Sequence, residues 1–211
     1  MMRDFFDVVE ARRSIRKFKP DAIPLQDLKE LVRIGTLAPS ASNKQNWKFI
    51  IVTRHSIIEK MCDVVTDKLD QLSQETQPHG VGGVIRSMRP YATLFKHAPA
   101  LLIVLQEPYR GKIESALVTA GYDPLTLMQK HGFGGPQSIG AAIQNICLAA
   151  EAKGYGTCWM CAPLTAQTEL CALLEIETPW SIAAFLPIGI PDEAPPPRPR
   201  KPLDEVITVI D

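Results

Sequence analysis

The chain has 211 residues, 45% of them hydrophobic and 22% charged, an ordinary globular composition of one to two domains' length. Its 23 lysines and arginines balance 23 aspartates and glutamates, which argues against a partner held by bulk charge, such as nucleic acid. Acids at Asp4 and Asp7 oppose a secretory leader, the apolar run Ala100–Leu105 is too short to cross a membrane, and five cysteines, an odd number, suit free thiols in a reducing compartment, so a cytoplasmic protein is expected.

Phe5, Val8 and Val9 stand at helical spacing and predict a short amphipathic helix from about Arg3 to Ala11. Arg12-Arg13-Ser14-Ile15-Arg16-Lys17-Phe18-Lys19 follows, with five cations and no acid in eight residues. Guanidinium forks match phosphate oxygens pairwise, and the Ser14 hydroxyl adds a donor. A solvated basic face is the plain alternative for this run taken alone. A second helix is predicted from Pro24 to Gly35, with Leu28, Leu31 and Val32 on one side. The polar loop Ala38–Trp47 combines small residues, which let a flat ligand approach the backbone, with the double-natured amides of Asn43 and Gln45. Ordinary turns use the same residue types.

Trp47–Val52 and Ala100–Gln106 read as buried strands and Ser56–Gln74 as a helix, with a mobile glycine-rich loop from Pro78 to Pro90. Gly132–Pro136 lacks the Gly-Lys-Ser/Thr of a P-loop and the dinucleotide fingerprint, and reads as a flexible lead into a helix. From Pro136 to Lys153 apolar and small residues surround the helical circumference. A helix apolar all round is buried all round, most easily beneath a second copy, so a symmetric homodimer is expected, with a central helix of a monomer as the alternative.

Thr157–Cys161 and Ser181–Pro187 are predicted strands, with a helix from Thr165 to Glu175 between them. Cys158 and Cys161 have the spacing of a redox or metal pair, but on a strand they would face opposite ways. His55, His79, His97 and His131 are scattered singly, and no metal site is expected. Pro195–Pro202 predicts an extended basic arm. This arm and the Arg12–Lys19 run together hold eight of the 23 bases without one acid. Helices and strands alternate too irregularly for repeated βαβ units, which favours the α+β class in one domain, 1–211, with the arm at about 191–211.

Taken in order, Arg-Arg-Ser-Ile-Arg-Lys-Phe, Ala-Pro-Ser-Ala-Ser-Asn-Lys-Gln-Asn-Trp, Ala-Ala-Ile-Gln-Asn-Ile-Cys-Leu-Ala-Ala with Gly-Tyr-Gly-Thr-Cys-Trp, and Pro-Arg-Pro-Arg-Lys-Pro-Leu closely resemble the nitroreductase family over nearly the whole chain. The resemblance implies an α+β fold with a central, mostly antiparallel sheet flanked by helices, in an intertwined homodimer that binds FMN at its interface. By motif position, Arg12, Arg13, Ser14 and Arg16 would hold the FMN phosphate and ribityl chain, joined by Arg198 and Arg200 of the arm. Pro39, Ser40, Ala41, Asn43 and Gln45 would line the isoalloxazine and ribityl groups. Met160, Cys161 and Ala162 would lie against the flavin, with a backbone N–H near Cys161 as donor to its N5.

The implied activity is two-electron transfer from NADH or NADPH to a nitroaromatic, quinone or similar small acceptor, with no side-chain acid or base assigned. Dehalogenation, flavin fragmentation or substrate oxidation on the same scaffold are the alternatives, followed by a Cys158/Cys161 dithiol protein and a non-catalytic flavin module. Asn46 stands where the family usually has proline, which implies a softer loop. Arg89, Tyr91, Tyr122 and Phe133 are expected near a substrate entrance formed by Pro78–Phe95 and Glu107–Gly135.

Overall fold

A computed structural model describes residues 4–210; the expected helix start at Arg3 and the last residue of the arm, Asp211, lie outside the described residues. Four strands, β1 (Trp47–Val52), β2 (Ala100–Gln106), β3 (Gly156–Thr157) and β4 (Ser181–Gly189), pair antiparallel in the order β1-β2-β4-β3. β2 lies at the centre with six of its seven residues buried, because apolar layers cover both faces of the sheet. On one face, Ala100, Leu102, Val104, Ala184, Leu186 and Ile188 pack against α2 (Leu25–Gly35) and α8 (Gly134–Ala152). On the other, Leu101, Ile103, Leu105, Ile182 and Phe185 meet α3 (His55–Glu75) and α9 (Gln167–Leu173). A register shift between Val104 and Leu105 leaves Ala183 unpaired, so Ile182 and Ala184, two apart, serve opposite faces.

α1 (Phe5–Ala11) begins on the side chain of Asp4, which accepts from Phe6 N. Only Val8 of this helix is buried. The segment Pro78–Pro90, expected as a mobile loop, is instead largely helical, comprising a 3₁₀ turn, α4 (Gly82–Ser87) and the start of α5 (Arg89–Ala92). Gly82 is there for closeness: a Cβ would stand 2.3 Å from the Ser73 carbonyl oxygen, and the Ser73 hydroxyl donates to Gly82 O at 2.8 Å. Two further short helices, α6 (Lys112–Thr119) and α7 (Pro124–Lys130), connect β2 to α8.

α8 starts two residues before the expected Pro136, so the glycines taken for a flexible lead form its first turn. In the single chain its burial is one-sided. Ile139, Ala142, Ile143 and Ile146 are buried, whereas Gln137, Gly140, Ala141, Gln144 and Leu148 form an i, i+3, i+4, i+7 stripe that stays partly or fully exposed. The strand expected over Thr157–Cys161 is also shorter: only Gly156 and Thr157 belong to β3, and Met160 makes an isolated bridge to Phe185. Pro187, opposite Cys158, has no N–H to donate, which interrupts the ladder between them.

Candidate functional site

The basic segment after α1 is clamped along the edge of the sheet. Ile15 N donates to Thr157 O and Lys19 N to Ile190 O, both at 2.9 Å, and Asp192 N donates to Lys17 O at 3.0 Å. Ile15 and Phe18 turn inward and are buried, each over a glycine. A Cβ on Gly156 would lie 2.7 Å from Ile15 Cβ, and one on Gly189 would lie 2.8 Å from Phe18 Cβ. With these two side chains seated, the cationic ones between them are turned outward, with Arg12, Arg13 and Ser14 half-buried and Arg16 exposed.

The guanidiniums fold back on backbone carbonyls, Arg13 on Glu10 and Arg12, and Arg16 on Ser14. The nearby carboxylate of Glu193 accepts instead from the backbone N–H groups of Arg16 and Lys17. Among the described residues no ion pair engages Arg12, Arg13 or Arg16. The two chain ends do meet here, through 190–193. Arg198 and Arg200, by contrast, sit exposed on the extended arm, with no hydrogen bond or ion pair tying either to the rest of the described chain.

From this clamp the chain runs back along α8. The Thr157 hydroxyl meets the Cys147 thiol, and Gly140 faces the ring of Trp159, whose Cη2 would be 3.5 Å from a Cβ there. Cys147 to Gly140 is about 10 Å of helix at 1.5 Å per residue. Burial pushes the Cys147 and Cys158 thiols up, Cys158 against the lowering influence of Arg16, so both are poor nucleophiles at neutral pH. Cys158 is buried, Cys161 exposed, and neither is bridged, an arrangement that does not favour a dithiol centre. Among the described residues no three His, Cys, Asp or Glu side chains gather to hold a metal ion. Met160 is buried, Cys161 exposed, and Ala162 half-buried at the start of a 3₁₀ turn.

About half a turn further toward the N-terminus of α8, Ser138 anchors the polar loop. Its hydroxyl accepts from Ala41 N at 3.0 Å and donates to Gly134 O at 2.7 Å. Ser42, Asn43 and Gln45 all adopt left-handed backbone angles, with φ of 52°, 51° and 51°. Gln45 N donates to the Ser40 hydroxyl at 3.0 Å, which closes the turn. Asn46 does not soften this loop. It is 1% exposed; its amide donates to Glu107 O at 3.3 Å, and its carbonyl accepts from Glu107 N at 3.1 Å.

Beside Ala41 and Ser42 opens a cavity of about 430 Å³, walled by Tyr109, Glu114, His131 and Gly134. The Ser42 and Tyr109 hydroxyls bond each other at 2.9 Å. Gly134 and Gly135 bring the wall in close: Cβ atoms there would lie 3.4 Å from Ala41 Cβ and 3.3 Å from Tyr109 Cβ. Tyr122 and Phe133 are exposed on the same 107–135 segment. Arg89 and Tyr91 are not part of this wall; Arg89 pairs with Asp70 of α3, and the helices around them pack on the opposite face of the sheet. Ser138 and its bond to Ala41 were not legible in the sequence, whereas Thr157 fell in the predicted 157–161 strand and Tyr109 in the expected 107–135 entrance, neither with a role of its own.

The pattern of the Nitroreductase family matches residues 9–190. A BluB-like flavoprotein of Clostridium difficile 630 is 29% identical, with a TM-score of 0.91 over 99% of this chain and 100% of that one. Iodotyrosine deiodinase of Thermotoga neapolitana is 26% identical over 98% of this chain and 97% of its own. The 5,6-dimethylbenzimidazole synthase of Rhodospirillum rubrum is 28% identical over 92% of this chain and 85% of its own.

Proposed function

The chain belongs to the nitroreductase family, and from that premise we propose that it is an FMN-dependent oxidoreductase working as a homodimer, with NADH or NADPH as reductant and a nitroaromatic, quinone or similar small molecule as acceptor. The observation that carries this reading is the clamped, acid-free arginine segment, continued along α8 to a polar loop held on Ser138. Unpaired guanidiniums with a hydroxyl suit a phosphomonoester, and the loop offers backbone and amide groups to a flat heterocycle.

In this arrangement Arg12, Arg13, Ser14 and Arg16 bind the phosphate and ribityl chain. Pro39, Ser40, Ala41, Asn43 and Gln45 line the isoalloxazine and ribityl groups. Met160, Cys161 and Ala162 would support the ring, and the N–H near Cys161 would be the donor offered to N5. Arg198 and Arg200 reach the phosphate from the arm once a second copy is present. Bound FMN would supply two-electron redox chemistry between the nicotinamide and the acceptor. The chain's own share is to bind, orient and surround the ring with fixed donors.

The experiment is direct. Purified protein should be yellow and release FMN on denaturation, and steady-state turnover with NADH or NADPH plus a nitroaromatic or quinone should give parallel ping-pong lines. A colourless protein that takes up no added FMN would sink the reading. Dehalogenation or flavin fragmentation is the second reading, favoured by the deiodinase and synthase among the relatives. It predicts bound FMN with turnover of a halophenol, or loss of the flavin chromophore in air, and little nitroaromatic reduction.

A further inference from the structure

Glu114 is 9% exposed, and among the described residues it is the one buried side chain that carries an acid or a base. It forms part of the wall of the 430 Å³ cavity beside the Ala41–Asn43 turn. Helix capping explains half of it: Oε2 accepts from Gly111 N at 2.7 Å, the reach of a residue at the third helical position back to the start of α6. The other oxygen, Oε1, stands 3.5 Å from Nδ1 of His131, which follows α7 and lines the same cavity. No protein partner engages Nε2 of His131 among the described residues. A carboxylate beside one imidazole nitrogen, on a histidine that lines a cavity and whose other nitrogen has no protein partner, is the arrangement by which a histidine is oriented to exchange protons.

We propose that His131 is the proton donor to the acceptor bound in this cavity, and that Glu114 is its positioning residue. The proposal rests on the flavin reading above. The favoured acceptors are those whose reduction leaves a charged oxygen, quinones first. Conversion of a quinone to a hydroquinone takes two electrons and two protons. Both electrons and one proton arrive together as a hydride equivalent from the flavin and nicotinamide side. The second proton passes from His131 Nε2 to the carbonyl oxygen, making the second O–H, and His131 is reprotonated by water. The charged and titratable groups around His131 are Glu114 and Lys112 on α6, Lys130 at the end of α7, and Tyr109 before α6. The Tyr109 hydroxyl is already engaged with Ser42, which leaves the histidine as the proton carrier of this wall without a hydrogen-bond partner on Nε2 among the described residues.

The test uses the purified full-length protein, with flavin content read first from its visible spectrum. 4-Nitrophenol, whose absorbance distinguishes phenol from phenolate, is titrated into wild type, His131→Gln and Glu114→Gln. Wild type should bind the phenolate, and His131→Gln should weaken that binding about tenfold or more. Glu114→Gln, which keeps an acceptor for Gly111 N, should fall between the two. In turnover, His131→Gln should lower kcat/KM for benzoquinone about tenfold or more, with kcat/KM for the nicotinamide unchanged. Phenolate binding within twofold of wild type in His131→Gln, or an unchanged kcat/KM for benzoquinone, overturns the proposal. Absence of flavin overturns the preceding reading instead, and the phenolate titration still reads the dyad because it needs no flavin.

Discussion

Gly156 and Gly189 give the segment that carries Arg12, Arg13 and Arg16 its place by what they lack. Replacing Gly156 with valine puts carbon where Ile15 sits and forces the segment off the sheet edge. Overpacking of this kind costs about 1–3 kcal/mol. The expected outcome is a lower urea midpoint together with weaker FMN retention, both measurable on one preparation, and an FMN affinity equal to wild type would detach the clamp from cofactor binding. At the residue scale the acid-free run 12–19 was legible because it is local in the sequence. Asn46 was not, because its role depends on Glu107, sixty-one positions away, whose backbone it bonds on both sides. Glu114 and His131 were equally opaque, since a lone acid and a lone histidine acquire meaning only when two helices bring them together.

Elements follow the same division. β2, α3 and α8 were readable because each carries its own period or apolar run, whereas α4 and α5 owe their helicity to packing on α3. The strand at 157–161 failed for want of one N–H on Pro187, a defect in its neighbour. α2 is tied to the turn after α8 by a polar latch: the Tyr155 hydroxyl donates to Asp27 Oδ2 at 2.6 Å, and Lys153 Nζ pairs with Oδ1 at 2.8 Å. These bonds hold the Asp27 carboxyl below its usual range and push the Tyr155 hydroxyl up to about 12. A depressed acid contributes stability above its ordinary value of 3.8, lost as pH falls through the lower folded value. A raised phenol contributes fully below 10.0, and that contribution is lost as pH rises toward about 12. Urea midpoints against pH should therefore be level from this latch between about 5 and 9 and drop at both ends. Tyr155→Phe should remove the alkaline drop while leaving the acid one, and an unaltered alkaline limb would show that the latch does not act.

At the scale of the molecule, the all-round apolar character of α8 was visible in the sequence, but one chain covers only part of the helix. The stripe around Ala141 and Leu148, the exposed Phe5, Phe6 and Val9, and the unattached arm with Leu203, Val206, Ile207, Val209 and Ile210 are the surfaces a second copy would bury. Light scattering should give about twice the 23.3 kDa of one chain. Leu148→Glu should shift the protein toward monomer and lower its flavin content, whereas a stable monomer with full FMN would contradict a shared site. Ile15 and Phe18 in their glycine seats grip the sheet by shape, far along α8 from the cavity at Tyr109 and Gly134. Mutations can therefore accumulate at the cavity end without disturbing the grip. A lineage built this way inherits its handle and is free to change its tool, which suits relatives named for a deiodinase and a synthase that retain only 26% and 28% identity to this chain.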